Sequence, residues 1–288
     1  MAVPDSLRTR TGDPRVTTVV MTRDRWPTLQ RSLARHDGTV VLVDNGSTDG
    51  TPRLVAKHFP DIEVVALGEN RGAVARNVGV RRARTPYVAF ADDDSWWAPG
   101  AATLAADVLD EHPGVALVAA RVLVGEPERD DPMCSAMEAS PLPRVPGLPG
   151  PPVLGFLACG TVVRREAFLA AGGFDPVVFF MGEEERLALD LRAAGWQLCY
   201  VPTVVAHHHP SDGRPDPAKV VRAERNRLLT AVMRRPWPVV VHEVVRALCG
   251  GPVTRAGARA GLRALPDALL VRRALPAAIE AERRLLGT

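Results

Sequence analysis

In the stretch Tyr87-Val88-Ala89-Phe90-Ala91-Asp92-Asp93-Asp94-Ser95-Trp96-Trp97-Ala98-Pro99-Gly100, an apolar run patterned as a buried strand ends in three adjacent carboxylates. Packing gives no reason for a core strand to end that way. Side-by-side acids repel one another and lose hydration, so they need a cation or hydrogen-bond donors, and hard divalent ions take oxygen ligands of this kind. The triplet is read as a metal and phosphate site, against the simpler alternative of a solvated loop cap.

Upstream the same arrangement recurs. Val16–Met21 reads as a strand, Trp26–Ala34 as a helix with Trp26, Leu29 and Leu33 at helical spacing, and Thr39–Val43 as a second buried strand. Thr51–Phe59, Ile62–Leu67, Gly72–Ala83 and Tyr87–Ala91 continue as helix, strand, helix and strand. That alternation predicts an α/β protein with a mostly parallel, doubly wound sheet and helices on both faces. Ligands of such sheets sit beyond the carboxyl ends of the strands. Polar clusters fall there each time: Thr22-Arg23-Asp24-Arg25, Asp44-Asn45-Gly46-Ser47, Asn70-Arg71-Gly72 and Asp92-Asp93-Asp94. Solvation explains one such cluster better than four in register. The first turn lacks Gly-x-Gly-x-x-Gly, and no Walker-type lysine loop occurs, which argues against dehydrogenases and P-loop enzymes.

Downstream, Ala101–Glu111 reads as a helix and Val115–Val124 as a long strand. Residues 125–155 are rich in Pro, Gly and acids and too long for a passive connection, so a mobile loop serving as a lid or acceptor-binding element is expected. Phe156–Val163 reads as a strand and Arg164–Ala171 as a short helix. In Gly182-Glu183-Glu184-Glu185-Arg186-Leu187-Ala188-Leu189-Asp190-Leu191-Arg192, Glu184 shares the helical stripe of Leu187, Ala188 and Leu191 and is expected to point inward. Glu183 shares a side with Arg186, which pairs with Asp190 one turn later. A desolvated carboxylate holds its proton more tightly, which suits a general base. Gln197–Val201 and Thr203–Ala206 read as a strand pair leading into His207-His208-His209. Strand alternation turns His208 to one face and its neighbours to the other, and one of the three is expected to bind metal.

At 288 residues, with 46% hydrophobic and 24% charged, the chain holds one large α/β domain with an extension and is not a disordered or fibrous protein. No apolar run reaches the roughly 18–20 residues of a membrane span. The first residues lack the apolar core of a signal peptide, so the expected compartment is the cytoplasm. Cys134, Cys159, Cys199 and Cys249 show no metal-ligand spacing and are expected to be reduced thiols. Charge is lopsided: residues 1–218 carry 22 Lys+Arg against 28 Asp+Glu, whereas 219–288 carry 14 against 5, a balance of +9. The expected organisation is a loose arm over 1–15, an enzyme domain over 16–215 and a basic helical extension over 216–288. The basic segment, 219–288, is expected to make peripheral contact with an anionic surface such as the inner face of a membrane. Val240, Val241, Val244, Val245 and Leu248 give one of its helices an apolar stripe, which packing on the domain explains as well as membrane contact does.

Several motifs together resemble a family 2 glycosyltransferase of the GT-A fold, from about Val16 to Arg235. They are Leu42-Val-Asp-Asn-Gly-Ser47, Asn70-Arg-Gly-Ala-Val-Ala-Arg-Asn-Val-Gly79, the acidic triplet with Pro99-Gly100, Arg164-Arg-Glu-Ala-Phe168 with Gly173-Phe-Asp175, the acidic helix, and the histidine after Pro202. The resemblance implies an inverting hexosyl- or deoxyhexosyltransferase. It would move a sugar from a nucleoside-diphosphate sugar to a hydroxyl of a glycan, lipid-linked or small-molecule acceptor, with Mn2+ or Mg2+ on the diphosphate. It implies Asp44 near the nucleotide base, Thr22 with Asp24 or Arg25 close by, Asn70, Gly72 and Arg76 along the nucleotide, and Asp92 near the ribose. Asp94, with Asp93 as alternative or partner, would hold the metal, and His208 matches the family's metal histidine by its offset from Pro202. Glu184 falls where the family usually has an aspartate base, with Glu183 and Glu185 as competing carriers. The chain departs from the family in having Glu183-Glu184 for Glu-Asp, and in exchanging the later Asp and Arg as Arg186 and Asp190, which keeps opposite charges one turn apart.

Two rival readings remain at this level. A nucleotidyltransferase shares the sheet and the metal acids but needs a glycine-rich basic loop, which Thr22-Arg23-Asp24-Arg25 does not supply. A non-catalytic membrane- or nucleic-acid-binding protein with a degenerate enzyme domain would use the basic segment; of these partners, nucleic acid is the less expected.

Overall fold

The computed structural model describes residues 11–210 and 217–287. Of the arm expected over 1–15, residues 1–10 lie outside the described residues. The remainder is tied down, because the Asp13 carboxylate accepts from Arg15 N at 2.8 Å and Arg15 Nη2 reaches Asp107 at 2.6 Å.

Runs of branched apolar residues form most of the strands, the short β5 and β7 excepted: β1 Val16–Thr22, β2 Thr39–Asp44, β3 Glu63–Ala66, β4 Tyr87–Asp92, β5 Ser95–Trp97, β6 Val115–Val124, β7 Arg129–Asp130, β8 Thr161–Arg164 and β9 Gln197–His208. Their order is β3-β2-β1-β4-β8-β6-β9-β5, with β7 beside β6. Pairing is parallel from β3 through β4 and again between β6 and β9, and β8 runs antiparallel between β4 and β6. This is the mostly parallel α/β sheet that the alternation predicts, interrupted by the antiparallel β8.

Strand periodicity splits the core into two layers. Val19, Val41, Val88 and Phe90 face α3 (Val74–Arg82), α6 (Arg165–Ala170) and α7 (Glu183–Ala193), meeting Val80, Phe168 and Leu187. Val20, Leu42 and Ala91 face α1 (Trp26–Leu33) and α2 (Thr51–His58), meeting Leu29 and Val55, while α4 (Ala101–Glu111) covers Ala89 and Val118 with Ala105 and Leu109.

Three local readings change. The expected strand pair over 197–206 is one strand: Pro202 sits where pairing with β6 jumps from Val201↔Ala120 to Val205↔Arg121, a bulge that absorbs a residue with no N–H to give. The expected strand Phe156–Val163 is shorter, because Ala158–Gly160 is a 3-10 turn and a Cβ on Gly160 would stand 2.4 Å from Val122. The short β5, unforeseen, pairs Ser95 with His208 and Trp96 with His207.

Residues 125–155 hold β7 and α5 (Pro132–Glu138), which Asp131 caps by accepting from Met133 N. Leu142, Val153 and Leu154 are buried, and Val153 N donates to Leu198 O at 3.1 Å. Among the described residues five α-helices follow: α8 Pro217–Arg234, α9 Trp237–Cys249, α10 Pro252–Gly261, α11 Leu265–Leu270 and α12 Ala277–Leu285. No helix among the described residues is long and apolar enough to cross a membrane. The four cysteines are unpaired, and Cys134, Cys159 and Cys199 are buried.

Candidate active site

The loops after β1, β2 and β4, and the turn entering α3, converge beyond the strand ends. Thr22 Oγ1 donates to Asp93 Oδ2 at 3.2 Å, and Ser32 Oγ on α1 donates to the Asp93 carbonyl at 2.8 Å. Arg25 lies across two acids of the triplet, with Nε 3.0 Å from Asp93 Oδ1 and Nη2 3.1 Å from Asp94 Oδ2. On its other side Asp94 meets His208, Nε2 standing 3.4 Å from Oδ1. β5 brings this about by pairing the residue after the triplet with His208, while His207 stacks on Trp96 at 5.3 Å on the opposite face. Strand alternation thus singles out His208 from the histidine triplet.

A second chain of contacts begins at Asp92. Arg76 on α3 is 1% exposed and pairs through Nη2 with Asp92 Oδ1, while its Nη1 stands 3.9 Å from Glu183 Oε1 at the start of α7. One buried guanidinium therefore links the strand-end triplet to the helix acids. The structure departs from the sequence expectation here: Glu183, 2% exposed, is the deeper acid, and Glu184 is half-buried. The wheel drawn through Leu187, Ala188 and Leu191 assumed one buried face, but Arg186 and Leu189 are buried as well. Glu183 stands one and two turns before Leu187 and Leu191 and shares their environment.

The remaining expected residues build the loops. Asp24, at φ 52°, accepts from Thr48 N at 2.6 Å, and its own N–H donates to Ser47 Oγ at 2.9 Å, clamping the β1 and β2 loops together. Asp44 is buried; its Oδ2 accepts from Ser47 N at 3.1 Å, and its Oδ1 is buried with no hydrogen-bond partner among the described residues. Asn70 Oδ1 accepts from Gly72 N at 3.0 Å. Gly72 itself, at φ +60°, lies under Phe179, where a Cβ would stand 2.3 Å from the Phe179 carbonyl.

Electrostatics follow from burial. Burial pushes Asp93 up to about 7, against the pull of Arg25 and with the push of Asp94 and Asp92. Burial alone would lower His208, but the hydrogen bond and charge of Asp94 hold its imidazole above the ordinary histidine value. Burial raises Glu183 against the opposing charge of Arg76. Burial and the adjacent Glu183 carboxyl push Glu184 up to about 8.

Asp94 Oδ1 and His208 Nε2 are spaced as two ligands of one cation, and a carboxylate with an imidazole suits Mn2+. No group of three or more metal-binding side chains stands together among the described residues, so other ligand positions would fall to water or to a bound diphosphate.

Further residues hold this geometry, among them Asn45 of the polar cluster after β2 and the Arg186–Asp190 pair that helical spacing implies. Asn45 Nδ2 donates to Asn70 Oδ1 and to Gly72 O, both at 3.1 Å, and its Oδ1 accepts from Arg71 N at 2.8 Å. Asn226 on α8 donates to Phe180 O at 2.7 Å and Met181 O at 2.6 Å, fixing a segment in which Phe179 and Met181 sit at positive φ. Its sequence signal is a polar residue on the buried stripe of Leu229, Thr230 and Met233. Arg186 pairs with Asp190 and stands 3.0 Å from Asp175, and Asp190 meets Arg234 of α8 at 2.6 Å. α12 clasps the other side of α7 through Arg283–Glu185 and Arg192–Glu282, both 2.6 Å.

A family model described as glycosyl transferase family 2 matches residues 17–170. An N-acetylglucosaminyl-diphospho-decaprenol L-rhamnosyltransferase of Mycobacterium tuberculosis is 31% identical over 247 residues, covering 71% of this chain and 80% of that protein. A pre-mycofactocin glycosyltransferase of the same organism is 34% identical over 205 residues, 67% of this chain and 43% of that one. Among solved structures, the mannosyltransferase PcManGT of Pyrobaculum calidifontis, in complex with GDP-Man and Mn2+, superposes with a TM-score of 0.59 at 24% identity, covering 91% of this chain and 74% of that chain.

Proposed function

The chain belongs to glycosyl transferase family 2 and is a nucleotide-sugar-dependent glycosyltransferase; from that premise we propose that it inverts the sugar it transfers, with a divalent metal on the diphosphate and Glu184 as general base. Membership sets aside the nucleotidyltransferase and non-catalytic readings. The observation that carries the proposal is the Asp92–Arg76–Glu183 chain, which places the strand-end acids and the helix-start acids around one guanidinium.

In this reading the buried Asp44 Oδ1, without a partner among the described residues, accepts an N–H of the nucleotide base, and Asp92 meets the ribose. Asp94 and His208, with Asp93 beside them, would hold Mn2+ or Mg2+, which supplies positive charge to the leaving diphosphate. Arg25 keeps Asp93 and Asp94 compensated, and Asn45, Asn70 and Gly72 shape the floor under the nucleotide. Glu184 accepts the proton of the acceptor hydroxyl as that oxygen bonds to the anomeric carbon. The bond from that carbon to the diphosphate oxygen breaks on the opposite side, so one displacement inverts the centre. A carboxylate raised to about 8 is a stronger base than a solvated one. The rhamnosyltransferase relative supports a deoxyhexose donor and a lipid-linked acceptor.

The test is a thermal-shift panel of nucleoside diphosphates with and without Mn2+, since a ligand bound only by the folded chain raises its melting temperature. One nucleotide should stabilise the protein in a metal-dependent way, and a sugar donor carrying it should give product of inverted configuration by NMR. Stabilisation indifferent to metal would remove the metal from the proposal, and retained configuration would remove the single displacement.

A further inference from the structure

α9 presents its apolar side outward. Its inner face carries Val240, Ala247 and Glu243, the last 3% exposed and accepting from Arg227 at 2.9 Å and Arg246 at 2.8 Å. The stripe Val241, Val244, Val245 and Leu248 points out, with Leu248 64% exposed. Packing on the domain therefore does not account for this stripe. Val244 and Leu248 instead wall an open groove of ≈ 310 Å³ with Leu229, Val232 and Leu262, and Arg255 and Arg259 of α10 also line it.

Charge is delivered beside the groove, where Arg255 and Arg259 line it. Arg227, Arg234, Arg235, Arg246 and Arg283 are all held in ion pairs inside the fold. Arg255, Arg259 and Arg263 are exposed, fall at i, i+4 and i+8 along α10 and the turn after it, and meet no carboxylate among the described residues. Part of the positive excess of the last quarter of the chain thus lies beside an uncovered apolar stripe.

We infer that this face docks on an anionic lipid bilayer, the α9 stripe entering the interfacial layer while Arg255, Arg259 and Arg263 meet headgroup phosphates. Apolar side chains flanked by outward arginines are the chemistry of an interfacial helix. A second copy is a poorer occupant, because a two-fold contact would bring both sets of unpaired arginines to one seam. Docking gives a purpose to the lipid-linked acceptor proposed above, but its evidence and its readout are separate: vesicle binding reports the surface, and metal-dependent nucleotide binding reports the active site.

The experiment is co-sedimentation of the full chain with vesicles of pure phosphatidylcholine and of an equimolar phosphatidylcholine–phosphatidylglycerol mixture, over a salt series. Binding should favour the anionic vesicles and fall with salt. Arg255→Gln/Arg259→Gln/Arg263→Gln should lose about fivefold in affinity per arginine, roughly a hundredfold together. Val245→Asp/Leu248→Asp should lose binding to both vesicle types. All five positions are exposed, so melting temperatures and nucleotide binding should match the parent. Parental sedimentation of both variants, or equal sedimentation with the two vesicle types at low salt, overturns the inference. So does a concentration-dependent dimer, seen by light scattering, that Val245→Asp/Leu248→Asp dissolves while no vesicle binding is found.

Discussion

Replacing Glu184 by Gln should separate chemistry from stability, moving them in opposite directions. The side chain keeps its shape and loses its proton-accepting capacity, so turnover should fall by roughly 10²–10⁴, about 3–5 kcal/mol on the barrier, while nucleotide binding stays near parental. Stability should rise. With its ordinary value of 4.5 raised to about 8 in the fold, Glu184 is neutral in both folded and unfolded chains at low pH and disfavours folding progressively as pH climbs from 4.5 toward 8. At pH 7 the folded chain retains a proton that the unfolded chain has released, which at about 1.36 kcal/mol per pH unit costs up to about 3 kcal/mol. Gln removes that cost, so the variant should melt higher than the parent at pH 7 and converge with it below pH 4.5. Parental turnover with saturating donor should itself rise through about pH 8. The assay is product formation beside thermal melts across pH, with Glu183→Gln and Glu185→Gln in parallel. Near-parental turnover moves the base elsewhere, and a Glu184→Gln variant that melts lower at pH 7 makes this acid structural.

Asp94→Asn should abolish Mn2+-dependent nucleoside-diphosphate binding by calorimetry without changing the circular dichroism spectrum. Gly72→Ala forces a Cβ against the Phe179 carbonyl at positive φ and should cost about 1–3 kcal/mol in denaturant unfolding. Asp190→Asn leaves Arg186 and Arg234 without their shared carboxylate, and should cost up to about 3–5 kcal/mol while lowering kcat more than donor affinity. Amide exchange over residues 125–155 should slow when donor and acceptor are both bound; equal exchange with and without them would argue against a lid.

The sheet was legible because its strands are short apolar runs with polar ends, and the four clusters that mark the carboxyl edge needed only strand order to be placed. His208 was legible to the extent that alternation separates it from His207 and His209; that Asp94 is its partner depends on β5, whose three residues, two of them strand-favouring tryptophans, are too few to read as a strand. The relative depth of Glu183 and Glu184 was not legible. A helical wheel reports one face, whereas α7 is buried on several sides by α8, α12 and the segment before it, none of which its own sequence describes. The roles of Asn45 and Asn226 went unread for a related reason: their work is to satisfy backbone groups of distant loops, and that demand exists only after folding. The direction of the α9 stripe also lay beyond the sequence, since amphipathic spacing is the same whichever side faces water.

The clasp on α7 bears on the order in which the protein becomes competent during synthesis. Glu185 finds its partner 98 residues later in the chain, Arg192 finds its own 90 residues later, and Asn226 must arrive before the peptide at Phe180 and Met181 is held. Domains emerging from the ribosome fold from the N-terminal side, and contacts this distant in sequence close late because their loops are long. The strand-end acids can therefore assemble on a nascent sheet while the opposing acids still lack their supports. Nucleotide binding should precede catalytic competence as the polypeptide lengthens, and chains released before α12 should bind donor yet transfer poorly.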